Sequence, residues 1–83
     1  MTLPDGSQVK LQPRQAEFLH VMIARTHVSP EDMMKALYGA GRHELPAFAR
    51  TAVRVVASSL RHKLKPYGYT IAHGHYELLK RED

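Results

Sequence analysis

The sequence predicts an α+β domain, with three helices set between a short N-terminal β-hairpin and a C-terminal β-hairpin. Three observations predict it. Apolar residues recur at helical spacing in three stretches, each with its own start or stop signal. Short stretches near both ends alternate polar and apolar residues beside a glycine turn. The length of 83 residues suits a single domain, one that buries only about 60–65% of its unfolded surface.

Residues 1–11 read as the first hairpin. Pro4-Asp5-Gly6-Ser7 is a turn cluster, and Gln8-Val9-Lys10-Leu11 alternates as a half-buried strand does, with Thr2-Leu3 as its partner. Pro13 suits the first position of a helix over residues 13–26, with Ala16, Phe18, Leu19, Met22 and Ile23 on its apolar side. Ser29-Pro30-Glu31-Asp32 is a helix start: a cap, a proline at the first position, and two acids at the positive end of the dipole. Met33, Met34, Leu37 and Tyr38 complete a helix over 30–38, which Gly39 ends.

Residues 39–44 read as a loop, and a third, longer helix spans 46–65, opened by Pro46 or beginning closer to Arg50. In it Val53, Ala57, Leu60 and Leu64 form a buried stripe at i, i+4, i+7 and i+11, while Thr51, Arg54, Ser58, Arg61, His62 and Lys65 face outward. Pro66 and Gly68 stop the helix. Residues 69–79 form the second hairpin, with Gly74 at its tip. Hairpin, helix, helix, helix, hairpin is a winged helix-turn-helix arrangement.

Composition excludes several functions. There is no cysteine, which removes disulfides, thiol nucleophiles and cysteine-ligated metals. No apolar run approaches the length of a membrane span, and Pro4, Asp5, Gly6 and Ser7 stand where a signal peptide would be apolar. A soluble protein of the cytoplasm, at the nucleoid, is expected. No glycine-rich phosphate loop, nucleophile elbow or carboxylate pair appears, so no catalytic residue and no cofactor is expected. His73 and His75 flank one glycine, but no carboxylate stands between Leu45 and Tyr76 and no histidine pair has helical i, i+4 spacing. No metal site is expected either.

Charge carries the positive signal. The formal net charge is +4, and every acid lies outside the stretch from Leu45 to Tyr76. That stretch holds Arg50, Arg54, Arg61, Lys63 and Lys65. A domain basic on one side points to a polyanion, most often nucleic acid. A helix buried on one side and lined with Arg, Ser and His on the other suits the major groove of double-stranded DNA. Arg54, Ser58 and Arg61 are the candidates for base edges. Arg50, Thr51, His62, Lys63 and Lys65 are candidates for phosphates, Val55 for the groove, and His73 and His75 for the tip of the wing.

Three segments resemble the DNA-binding effector domain of OmpR/PhoB-type response regulators. Residues 9–19, with Leu11-Gln12-Pro13-Arg14-Gln15, are similar to the family's strand-to-helix signature Leu-Thr-Pro-Arg-Glu. Residues 28–39 end Leu37-Tyr38-Gly39 where the family has Leu-Trp-Gly. Residues 53–64, followed by Tyr67-Gly68-Tyr69 and Gly74-His75-Tyr76-Glu77-Leu78, resemble its recognition helix and wing. The resemblance covers nearly the whole chain. It implies a transcription regulator that binds DNA repeats side by side as a weak homodimer, and RNA polymerase as a partner of the loop 39–44.

Several positions depart from the family pattern. Gln12 replaces a threonine cap, which predicts a less firmly started first helix. Arg54, Val56, Ser59 and His75 replace an aspartate, a histidine, an arginine and a glycine, so the DNA sequence read does not carry over. The N-terminal sheet has room for about two strands rather than four, and the 83 residues hold no receiver domain. A rival reading is a winged-helix protein-interaction module acting on RNA polymerase or another regulator, with Val55 and Val56 as its outward apolar residues.

Overall fold

A computed structural model of the chain describes residues 1–39, 46–72 and 74–80. It is an α+β arrangement: α1 (Pro13–Ala24), α2 (Pro30–Tyr38) and α3 (Ala49–Leu64), then strands β1 (Tyr69–Ile71) and β2 (Leu78–Lys80). The strands pair antiparallel, Tyr69 opposite Lys80 and Ile71 opposite Leu78. Helix α3 packs against α1, α2 and β1. Its stripe Val53, Ala57, Leu60 and Leu64 is buried at 1% exposure or less and joins Phe18, Leu19, Met33 and Ile71 in the core.

The expected N-terminal hairpin does not form. Leu3 N–H donates to Ser7 O and Gly6 N–H to Leu3 O, closing a tight loop with a single bridge, Thr2 to Gln8. Met1 and Val9 also exchange hydrogen bonds at 2.9 Å, but the pairing stops there, because the chain turns away to begin α1 after Gln12. The loop still inserts Leu3 and Val9 into the core.

The helix bounds follow local chemistry. Gln12 lacks the hydroxyl of a threonine cap, yet α1 starts firmly because Gln15 Oε1 accepts the Gln12 N–H at 3.0 Å. The α1 helix ends at Ala24, two residues before the expected limit, because Arg25 is extended and the chain runs on to pair Val28 with Tyr76. Ser29 Oγ accepts the Asp32 N–H and caps α2 as the sequence implied. At the far end of α2, Arg14 donates to Leu37 O and lies over the Tyr38 ring, so a side chain of α1 satisfies a carbonyl of α2's last turn. Of the two starts the sequence allows for α3, the later one holds, at Ala49: Pro46 O accepts the Ala49 N–H in a turn, and Phe48 turns edge-on against Tyr38. After α3, a short 3-10 turn (Lys65–Tyr67) ends at Gly68, whose φ of 83° is the left-handed conformation that favours glycine.

Gln15 is the one buried polar side chain among the described residues, and both ends of its amide are satisfied. Its Nε2 donates to Ser59 Oγ at 2.8 Å, fastening the start of α1 to α3. Ser59 thus finds a structural partner. Gln15→Ala is expected to cost about 1–2 kcal/mol, the net worth of two such bonds. A lowered urea midpoint with an unchanged m-value would record that loss.

Candidate nucleic-acid interface

A helix advances about 100° per residue, so burying Val53, Ala57, Leu60 and Leu64 fixes where every other α3 side chain points. Arg50, Arg54, Ser58 and Arg61 fall along one flank. They line a cleft of about 510 Å³ whose other wall is Pro30 and Met34 of α2, with Gly74 and Tyr76 of the C-terminal hairpin closing one end. Thr51, Val55 and His62 form the crest of the helix, Val55 being 61% exposed. Lys65 is exposed at the helix end. Lys63 lies on the opposite flank and reaches Lys10 O at 3.4 Å.

The expected site residues therefore divide. Four sequence candidates come together in the cleft, three on the crest, and Lys63 points elsewhere. Val56, a candidate for the rival reading, is half-buried against the core, which leaves Val55 as its exposed partner residue. His73 and residues 40–45, which hold most of the expected polymerase-contacting loop, lie outside the described residues.

Arg61 does more than line the cleft. Its Nε donates to Ile71 O at 3.2 Å and a terminal nitrogen to Ala72 O at 3.3 Å. The guanidinium fork thus holds the start of the hairpin loop against α3, a bracing role that the sequence reading, which assigned Arg61 to base contact, did not foresee. Its three other N–H donors are not used by these bonds.

Tyr76 sits between the arginines and the core. Its ring meets Phe18 edge-on at 4.9 Å. Burial raises its phenol above the ordinary value, and the charges of Arg61 and Arg54 oppose that rise. The cleft therefore presents a neutral hydroxyl between cations.

His75, a candidate at the wing, is engaged within the hairpin and with the α1–α2 connection. Its Nε2 lies 3.0 Å from Glu77 Oε1, and its ring stacks on His27 at 3.7 Å. His27 Nδ1 lies 3.5 Å from the same carboxylate oxygen. Neither His27 nor Glu77 was singled out in the sequence, because the bridge that joins them, Val28 to Tyr76, spans most of the chain. Pro30 and Met34 likewise carry only the sequence signals of a helix start and of core.

Comparisons with family models, with curated proteins and with solved structures return no match for this chain. No helix among the described residues is long and apolar enough to cross a membrane.

The two cleft arginines differ in what their loss should do. Arg61→Ala is expected to cost about 1–3 kcal/mol and to speed hydrogen exchange at the hairpin amides before those of α1. Arg54→Ala, an exposed change, should stay within about 0.5 kcal/mol of wild type. Native-state hydrogen exchange with urea titration compares them directly.

Proposed function

We propose that this protein is a winged helix-turn-helix DNA-binding regulator that lays α3 in the major groove and sets the C-terminal hairpin against the adjoining backbone. The observation that carries this reading is the flank of α3 bearing Arg50, Arg54 and Arg61, in a stretch from Leu45 to Tyr76 without one acid. The helix is 16 residues long, about 24 Å at 1.5 Å per residue, enough to follow the groove across several base pairs. Its buried side anchors it, so the exposed side can enter a groove about 12 Å wide. Three helices followed by an antiparallel pair of strands are compatible with the winged architecture, and the quoted motifs resemble the OmpR/PhoB effector domain in the same order.

In this reading Arg54 and Ser58 face base edges. Arg50, Thr51, His62 and Lys65 meet phosphates. Arg61 braces the hairpin and offers its free donors to the backbone. Lys63, on the far flank, contributes little. The exposed Val55 favours a thymine methyl in the groove, or, on the rival reading, a protein partner.

Fluorescence anisotropy against a random duplex pool at two salt concentrations, followed by sequencing of the retained DNA, tests this. Wild type should bind, weaken steeply with salt, and enrich a motif. Arg54→Ala should lose about 1–3 kcal/mol, or roughly 5- to 150-fold in affinity, and relax the motif at one position. Lys63→Ala should bind as wild type does. Absence of binding at low salt would overturn the DNA reading, and a stable protein partner lost on Val55→Ser would put the interaction module in its place.

A further inference from the structure

The Val28–Tyr76 bridge has a second face. Val28 N–H donates to Tyr76 O at 3.0 Å and Tyr76 N–H to Val28 O at 2.7 Å, and both side chains turn into the core. In an antiparallel pair, side chains alternate between faces. Residue 27 then stands opposite residue 77 and diagonal to residue 75, all three on the outer face. His27, His75 and Glu77 therefore converge by register, and their ligand atoms all lie within 4.8 Å of one another.

We propose that His27 Nδ1, His75 Nε2 and Glu77 Oε1 bind a divalent transition-metal ion of the zinc type. The donor set selects that class. Two imidazoles and one carboxylate suit zinc and its neighbours, whereas calcium and magnesium require shells made mainly of oxygen. In a tetrahedral zinc site with bonds near 2.0–2.1 Å, donor atoms sit about 3.3 Å apart. The two distances to Glu77 Oε1, 3.0 and 3.5 Å, bracket that value.

The imidazole planes are 13° from parallel, so one ring must turn for both lone pairs to meet on one ion. The side chain of His27 is 66% exposed and is free to make that turn, while those of His75 and Glu77 are about one-third exposed and stay with the hairpin. Three protein ligands leave one position for water. The ion takes one lone pair from each imidazole, so a proton on either coordinating nitrogen competes with it. The ion also cross-links the α1–α2 connection to the hairpin. The site uses none of the residues of the cleft flank and stands independently of the DNA reading.

Titration of the full chain with zinc against a chromophoric chelator tests the site. One ion per chain is expected. His27→Ala, His75→Ala and Glu77→Gln should each weaken binding by at least about tenfold, as even the loss of an outer-shell partner costs that much. His20→Ala and His62→Ala, at exposed histidines of α1 and α3, should bind as wild type does. His27→Ala changes an exposed side chain, so circular dichroism should show its fold intact. Binding that survives both His27→Ala and His75→Ala, binding that is lost with His20→Ala, or no saturable binding at micromolar zinc would overturn the proposal.

Discussion

Burial of one side of α3 is the constraint on which the rest of the molecule depends. Val53, Ala57, Leu60 and Leu64 are each at most 1% exposed, and α1, α2 and β1 all pack against this helix. Once that side is fixed, helical geometry leaves no freedom in the direction of Arg50, Arg54, Ser58 or Arg61. Replacing Leu60 by alanine would cost about 2–5 kcal/mol, a large part of the stability of a domain this small. The same contacts that hold the fold thus aim the basic flank.

Two polar links tie the remaining pieces to that helix. Gln15 fastens the beginning of α1 to Ser59, and Arg61 fastens the hairpin to the last turns of α3. Gln15 joins a backbone N–H to a hydroxyl, and Arg61 uses two of its five donors on backbone carbonyls. The hairpin is short, three residues per strand, and an isolated pair of that size is marginal. It is held by Ile71 and Tyr76 in the core, by Arg61, and by the bridge to Val28. The proposed metal site would add a further tie at that bridge.

The parts of this fold that were legible in the sequence rest on local signals. Ser29-Pro30-Glu31-Asp32 marked the start of α2, and the i, i+4, i+7, i+11 stripe marked the buried side of α3, both correctly placed. Local signals fall short where distant partners decide. They leave the start of α3 open between Pro46 and the neighbourhood of Arg50, and it falls at Ala49, beside Phe48 packed on Tyr38. Pro4-Asp5-Gly6 signals the turn of a hairpin, but beside the Met1–Val9 and Leu3–Ser7 hydrogen bonds the segment makes one isolated bridge and no pair of strands. At the candidate site, charge and helical spacing mark Arg54, Ser58 and Arg61 as outward residues of one basic helix and Arg50 as a further basic candidate, and the structure brings the four to one flank. Charge and spacing could not show that Arg61 braces the hairpin, because its acceptors are backbone carbonyls that carry no sequence signal. The cluster of His27 with His75 and Glu77 was illegible for a related reason, since it follows from a register set by a single long-range pair.

In the proposed function, the basic flank of α3 is the surface that meets duplex DNA. Backbone amide shift mapping by NMR during titration with a mixed-sequence duplex tests it most directly. Perturbations should concentrate on Arg50 to Ser58 and on Gly74 and Tyr76, and should fade with added salt. Perturbations centred instead on the outer face of α1 around Ala16 and His20, or none at all at low salt, would contradict it.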